Sequence, residues 1–214
     1  MDGSRIVFRE TDTIKGVSIG VSSSTGSPPY LVKAIVSRDT EGQQVQTPFI
    51  ATPSLFRLES DSTSQIRIMK SPGVLPRDRE SLFYLRTVAM PAGDTLHRSD
   101  APAVAGSLQV ATGQVIKLFW RPEGLSIPQP RAMKMLQFSI TAQGLKATNP
   151  TPYYITLSQL NVNGKPIKLN VTQGGNMLAP HGSVVWSGST QKGPVAWTAV
   201  NDYGGTETFH GTVN

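Results

Sequence analysis

One apolar stretch, residues 107–121, constrains the fold more than any other part of the chain; it reads SLQVATGQVIKLFWR. In its first half Leu108, Val110 and Thr112 fall on one face and small or polar residues fall on the other, as the period of two in a β-strand requires. From Val115 to Trp120 both faces are apolar, which predicts a strand that is covered on both sides. This stretch therefore predicts a strand inside a β-sheet protein.

Lys117 is the one charge in the apolar half of that stretch. An ammonium between Val115 and Phe119 costs free energy unless a carboxylate or another acceptor meets it. The strand therefore predicts an anion near Lys117. The alternative is that the amine reaches water at the end of the strand while its methylene groups stay buried.

The rest of the chain is also built from short apolar segments separated by turn residues. Charged residues make up 16% of the 214 residues, and 20 Gly and 16 Pro interrupt the apolar runs, which favours many short strands over long helices. None of the segments has a sustained helical period. Strands are predicted at residues 4–8, 17–21, 30–37, 49–53, 66–68, 81–90, 136–140, 153–162, 183–187, 195–200 and 206–213.

Turn signals divide the chain and predict one hairpin. Asn163–Gly164 predicts a two-residue hairpin turn, and residues 167–171 alternate on the return strand. The proline-rich segment 121–131 is the best domain boundary. The sequence therefore predicts two all-β sandwiches of immunoglobulin-like size, at residues 1–120 and 121–214.

Composition and motifs argue against several classes of function. The net charge is +6, but the basic residues are scattered, so we expect no nucleic-acid partner. The three histidines lie far apart and cysteine is absent, so we expect neither a metal site nor a disulfide. Nucleophile-elbow, dinucleotide and P-loop motifs are missing, so we expect no cofactor and no enzymatic activity. No run reaches the roughly 18 apolar residues of a membrane span.

The start of the chain and the lack of cysteine bear on its location. The chain opens MDGSR, without a basic and apolar leader. This predicts either a cytosolic protein or one from which a signal peptide has been removed. The absence of cysteine fits a reducing compartment and is also compatible with the periplasm.

Several stretches resemble the periplasmic pilus chaperones of the chaperone–usher pathway, the PapD-like family. They are SRIVF at 4–8, LPRDRESLFYL at 75–85 with MP at 90–91, IKLFWRP at 116–122, and NPTPYY at 149–154 with NDYGG at 201–205. They span both predicted domains and occur in the family's order. The resemblance implies two immunoglobulin-like sandwiches in an L-shaped arrangement.

The resemblance implies an anion for Lys117. In this family a basic pair in the cleft between the domains binds the C-terminal carboxylate of a fibre subunit, and the pair falls here on Arg5 and Lys117. Two cations that converge on one carboxylate form charge-assisted hydrogen bonds, which are stronger where water is excluded. Taken alone, Arg5 would be interpreted as a solvated arginine at the end of a strand.

The resemblance also implies a function for the half-apolar segment before Lys117. Family members lend this strand to a subunit whose immunoglobulin-like fold lacks its last strand, so that alternate side chains fill an open groove. The alternative is an ordinary half-buried strand whose side chains face their own core. Carried over to this chain, the inserted side chains are Leu108, Val110 and Thr112, with Val104 and Ile116 as outer members.

Other positions carry further family features. Pro53 matches a family proline, and Thr52–Pro53 is a candidate cis bond. The segment 92–116 is long for a typical member, which favours the long-loop branch, although that branch often has a disulfide here and this chain has no cysteine. The charged residues that match positions fixing the angle between the domains are Glu80, Arg121 and Asp202.

We therefore expect a periplasmic chaperone that completes the fold of one fimbrial or surface-fibre subunit with the strand at 104–116 and delivers it to an outer-membrane usher. Without a subunit, the exposed apolar edge favours self-association. The competing prediction is a two-domain adhesin or carbohydrate-binding module of the same architecture, which has no need of a lysine in such a strand.

Overall fold

A computed structural model describes residues 1–92, 110–171, 174–187 and 191–213. Nearly all of the regular elements among these residues are strands, which confirms the all-β prediction. The segment Leu75–Ser81, which the predicted bounds assign to the first domain, is grouped with the second unit. The two compact units are Met1–Val74 with Leu82–Trp120, and Leu75–Ser81 with Arg121–Asn214.

Among the described residues, eight strands lie before the proline-rich boundary, and most of them match the predicted segments to within two or three residues. A 3₁₀ turn at Glu10–Thr13 follows the first strand. The peptide bond Thr52–Pro53 is cis, as expected. The strands are β1 (Arg5–Arg9), β2 (Val17–Ser22), β3 (Tyr30–Ser37), β4 (Phe49–Thr52), β5 (Leu55–Leu58), β6 (Thr63–Lys70), β7 (Ser81–Pro91) and β8 (Thr112–Arg121).

Two sheets enclose an aromatic core in the first unit. The larger sheet has the strand order β1-β8-β7-β3-β5 and the smaller one has the order β2-β6-β4. Phe49 of the smaller sheet packs edge-on against Phe8 and Phe83 of the larger one, with ring centroids 5.2 and 5.0 Å apart. All three rings are almost fully buried. Burial of these rings therefore joins the two sheets into a sandwich.

The second unit is a curled sheet around an aliphatic and tryptophan core. Its strand order is β12-β11-β15-β16-β9-β10-β14, with β13 paired to β11. Trp197 in the core donates from Nε1 to the carbonyl of Met133 at 3.0 Å, which satisfies its polar atom. The elements are α1 (Gln129–Ala132), β9 (Gln137–Thr141), β10 (Gly144–Thr148), β11 (Ile155–Val162), β12 (Lys165–Pro166), β13 (Met177–Leu178), β14 (Ser183–Trp186), β15 (Gly193–Val200) and β16 (Thr206–Val213).

The strand predicted at residues 107–121 is β8, which begins at Thr112; residues 107–109 lie outside the described residues. Leu118 is fully buried, as predicted. Val115 is 39% exposed, so the prediction that both faces are covered from this residue onward is wrong. On that face the cover is complete only at Phe119, which is 2% exposed. Alternation gives the two faces of a strand, but it does not give what packs on them.

The predicted hairpin is confirmed at its turn and is shorter than expected on its return. Asn163 and Gly164 have φ values of 51° and 74°, the left-handed conformation that a two-residue turn of this type requires. Val162 pairs with Lys165 directly across the turn. The return strand ends at Pro166, although the Ile167 N–H still donates to the Leu160 carbonyl at 2.8 Å. Beyond that bond the backbone bonds are local, with the Val171 N–H donating to the Leu169 carbonyl at 2.9 Å, so the strand predicted over 167–171 is wrong.

Asn149 organises the corner before β11. Its side chain is fully buried. The amide nitrogen donates to the carbonyls of Tyr153 at 2.7 Å and Ala179 at 2.9 Å. The amide oxygen accepts hydrogen bonds from the Thr151 N–H at 3.1 Å and the Thr151 hydroxyl at 2.7 Å. One side chain therefore satisfies backbone groups from two separate segments of the second unit.

Asn149→Ala should lower the free energy of unfolding by about 2–4 kcal/mol, because it leaves several buried polar groups without partners. Urea denaturation of the full chain, followed by tryptophan fluorescence, measures the loss. Asn161→Ala is the matched control: Asn161 is half-buried on β11, and no hydrogen bond to its side chain occurs among the described residues. The control should change the free energy by less than about 0.5 kcal/mol. Equal losses in the two variants would contradict this role for Asn149.

Candidate functional site

Lys117 lies on the face of β8 opposite to the face that packs into the core of the first unit. Trp120 marks the core face, since its ring lies 6.0 Å from that of Phe8 and 6.2 Å from that of Phe49. Alternation along β8 puts Lys117 and Phe119 on the other face. Because Lys117 is half-buried there, its ammonium is only partly hydrated.

Arg5 lies on β1, the neighbour of β8 in the five-stranded sheet. Its guanidinium carbon is 5.5 Å from the centre of the Phe119 ring, within the range of a cation–π interaction. The charge of Arg5 is also close enough to Lys117 to affect the pKa of the lysine. The two cations of the predicted carboxylate-binding pair therefore lie on neighbouring strands of one sheet.

The electrostatic surroundings of Lys117 favour an anion. Burial, and secondly the positive charge of Arg5, lower the pKa of Lys117 to about 8. Among the described residues, no hydrogen bond or ion pair reaches its ammonium. This partial burial argues against the alternative of a fully solvated amine. A carboxylate that reached this position would offset both the burial and the repulsion.

The residues predicted to fill a subunit's groove divide into three groups. Val104 and Leu108 lie outside the described residues. Val110 is 59% exposed and Thr112 is also exposed, so both side chains are available to another molecule. Ile116 is 4% exposed and packs within its own unit. Its place among the inserted side chains stays a prediction.

Glu80, Arg121 and Asp202, predicted as one charge network, are joined by direct hydrogen bonds within the second unit. Arg121 Nε donates to Glu80 Oε1 at 2.8 Å. The two Nη atoms of Arg121 donate to the two carboxylate oxygens of Asp202 at 2.6 and 2.7 Å, a bidentate pair. All three side chains are largely buried. Their effect on the angle between the domains stays a prediction.

Neighbouring groups complete this network. Glu80 Oε2 accepts the Tyr154 N–H at 2.8 Å, and the Tyr153 ring lies 5.0 Å from the guanidinium carbon of Arg121. Burial raises the pKa of Glu80 by more than the attraction of Arg121 lowers it. Burial also acts to lower the pKa of Arg121, but its bonds to Asp202 and its attraction to both carboxylates raise that pKa overall. The guanidinium therefore stays charged and holds three parts of the second unit together.

Sequence reasoning missed the aromatic rings that contact these cations. Phe119 lies against Arg5, and Tyr153 lies against Arg121. A signal for Phe119 was present, because it follows Lys117 by two residues and so shares its face of the strand. Tyr153 is distant from Arg121 in sequence, so no local pattern links the two.

Both carboxylates of the network are paired with Arg121. Within the described ranges, no group of three or more His, Cys, Asp or Glu side chains is placed to hold a metal ion. No helix in the same part of the chain is long and apolar enough to cross a membrane.

Two family models match the chain. The model described as "Pili and flagellar-assembly chaperone, PapD N-terminal domain" matches residues 1–126. The model described as "Pili assembly chaperone PapD, C-terminal domain" matches residues 131–210. Together they cover most of the chain.

Relatives in Escherichia coli are similar over nearly the whole chain. The uncharacterized fimbrial chaperone YcbF of strain K12 is 34% identical over 214 residues, which cover 95% of this chain and 83% of that protein. The chaperone protein PapD is 31% identical over 208 residues, which cover 96% of this chain and 82% of that protein.

Solved chaperone structures have the same fold. The E. coli chaperone DraB matches with a TM-score of 0.81 and 30% identity, over 100% of this chain and 95% of that chain. A complex of the Salmonella enterica SafA pilin with the SafB chaperone matches with a TM-score of 0.81 and 27% identity, over 98% of this chain and 93% of that chain. The prediction of two immunoglobulin-like sandwiches is thereby confirmed, and the chain belongs to the PapD-like family of pilus-assembly chaperones.

Proposed function

We propose that this chain is a periplasmic chaperone that binds one incomplete fimbrial or surface-fibre subunit. Arg5 and Lys117 bind the carboxylate at the subunit's C terminus, and the strand at 104–116 takes the place of the strand that the subunit lacks. The half-buried ammonium of Lys117 beside Arg5 is the observation that carries this proposal. Membership of a chaperone family argues against the adhesin or carbohydrate-binding alternative.

The carboxylate of a chain terminus fits this pair chemically. The guanidinium of Arg5 and the ammonium of Lys117 come from neighbouring strands, so one carboxylate between them accepts hydrogen bonds from both. Each hydrogen bond to a charged group is strong when both partners are shielded from water. The pair therefore recognises the end of a polypeptide and fixes the register of the strand beside it.

The first half of β8 supports strand donation. β1 has five residues and β8 has ten, so β1 does not cover the full length of its neighbour. Residues 110–115 are exposed, whereas Ile116 and the next few residues are largely covered. The exposed part offers backbone N–H and C=O groups to a further strand, and Val110 offers an apolar side chain to its groove.

Family membership supports the proposed partner and pathway. One similar structure is a complex with a pilin, which supports a pilin-like subunit as the ligand. We further propose delivery to an outer-membrane usher, with release by exchange of one strand for another. The proposal includes no cofactor, nucleic acid or catalysis. Without a subunit, the exposed strand is expected to favour self-association.

Lys117→Met should abolish the capture of a subunit from the periplasm, with an affinity at least about 30-fold weaker, because one of two charges on the carboxylate is lost. Affinity purification of the chain, with mass spectrometry of the co-purifying protein, measures capture. The free energy of unfolding of the variant should be about 1–2 kcal/mol higher after allowance for solvent screening, since a poorly hydrated ammonium is removed. Urea denaturation measures this gain. Full capture by this variant would refute the carboxylate site.

The affinity for the subunit should fall as the pH rises above about 8. The pKa of Lys117 is about 8 in the free chain, and a bound carboxylate raises it. The contribution to binding is therefore fully present below the pKa of the free chain and is lost as the pH rises through the higher pKa of the complex. Isothermal titration calorimetry from pH 7 to 10 measures the change. Lys117→Arg, which does not titrate in this range, should bind without this pH dependence; the same fall in that variant would show that another group is responsible.

Val110→Ser should weaken subunit binding about 10–100-fold, because a valine that fills an apolar groove contributes about 1.5–3 kcal/mol. Val115→Ser is the matched control, since Val115 is an exposed valine on the same part of the chain. It lies on the face of β8 that carries Lys117, outside the set of inserted side chains. Calorimetric titration with the purified subunit compares the two. An equal loss of subunit affinity in the two variants would contradict the proposal that Val110, and not Val115, enters the groove.

Arg121→Met should lower the free energy of unfolding by about 3–5 kcal/mol, because it leaves the buried Glu80 carboxylate without its cation. Arg79→Met is the matched control, since Arg79 lies next to Glu80 in sequence and its guanidinium forms an exposed pair with Asp78. The control should leave the stability unchanged in urea denaturation. Unchanged stability in Arg121→Met would contradict a structural role for the network.

We also propose that the Arg121 network restricts the angle between the domains, which residual dipolar couplings measure.

A further inference from the structure

Phe119 is part of one group of side chains with Arg5 and Lys117. It follows Lys117 by two residues on β8, so the two side chains project from the same face about 7 Å apart. Arg5 reaches this face from the neighbouring strand, and its guanidinium carbon lies 5.5 Å from the centre of the Phe119 ring. The ring is therefore in contact with one cation and adjacent to the other.

The ring is a firm support for the guanidinium. Phe119 is 2% exposed, and a closely packed aromatic side chain is held in one rotamer. The negative face of an aromatic ring attracts a planar guanidinium, and the attraction increases when water is excluded. An arginine has several rotatable bonds, so contact with a fixed ring removes much of its freedom before a ligand arrives.

Such a support matters because the two cations repel each other. The charge of Arg5 is one cause of the lowered pKa of Lys117, which is the mark of this repulsion. A flexible arginine beside another cation lowers its energy by turning toward water unless an attraction holds it. Phe119 supplies one such attraction on the face of the strand that carries Lys117.

We propose that Phe119 is a positioning residue, which holds the Arg5 guanidinium beside Lys117 so that both cations meet one carboxylate. This inference rests on the proposed carboxylate-binding function. Phe119 acts through Arg5, and it determines how strongly the site prefers a free C-terminal carboxylate to a neutral group. Pre-organisation of this kind strengthens binding by lowering the cost of ordering the site when the ligand arrives.

The test uses two synthetic hexapeptides that copy the C terminus of the co-purifying subunit, one ending in a carboxylate and one in a carboxamide. The dissociation constant of the carboxamide peptide divided by that of the carboxylate peptide measures the preference for the charged terminus. Phe119→Leu should reduce this ratio about 2–30-fold, because an apolar side chain remains but the ring face is lost. Binding of the carboxamide peptide should stay within about twofold of the unaltered chain, since that peptide gains little from the cations.

Two further variants control this comparison. Phe119→Tyr keeps the aromatic ring and should therefore retain the preference of the unaltered chain for the carboxylate peptide. Val115→Ala changes an exposed apolar residue on the other side of Lys117 along the same face and should leave the ratio unchanged. Phe119→Met, with its adaptable apolar side chain, replaces Phe119→Leu if the latter does not fold.

A measurement without any peptide separates this inference from the proposed function. Nitrogen-15 relaxation of the Arg5 Nε–H group should show greater mobility in Phe119→Leu than in the unaltered chain or in Phe119→Tyr. Unchanged mobility would overturn the positioning role. So would a Phe119→Leu variant that loses affinity equally for both peptides, since that result indicates a structural role only. If the unaltered chain binds both peptides equally, the proposed carboxylate site itself is wrong.

Discussion

The partial burial of the Lys117 ammonium beside Arg5 is the constraint on which the rest of the structure depends. The strand cannot turn Lys117 toward water by a shift in register. A shift of one residue would expose Leu118 and Trp120, which belong to the core of the first unit. The hydrophobic core therefore fixes an unfavourable position for a charge. The most direct way to stabilise that charge is an anion from another molecule, and the end of a polypeptide supplies one.

One half of β8 packs into the core of the first unit, and we propose that the other half pairs with another protein. From Ile116 onward its residues are largely covered, and up to Val115 they are exposed. Arg121 ends the strand and at once enters the charge network of the second unit. The chaperone thus places its exposed edge, its proposed carboxylate site and the start of its second unit within one continuous run of residues, which fixes the spacing between them along the chain.

Local patterns were enough for most of the fold, and they were not enough for the site. Short apolar runs between turn residues predicted strands such as β3, and the turn signal of Asn163–Gly164 predicted the hairpin. The return strand predicted over 167–171 failed because the backbone beyond Ile167 forms local hydrogen bonds instead of a ladder with β11, which alternation does not report. The pairing of Arg5 with Lys117 joins residues far apart in the chain, so it came from the family resemblance and not from a pattern. Exposure at Val115 depends on what packs against the strand, which periodicity does not report.

The pKa of Lys117 in the free chain and in the complex with the subunit is the most direct test of this account. Carbon-13 NMR of the lysine Cε atom, assigned with Lys117→Arg, measures both values. The account predicts a pKa of about 8 in the free chain, which returns to about 10 or above when the carboxylate binds. A pKa near that of an ordinary lysine in the free chain, or one that does not rise on binding, would contradict it.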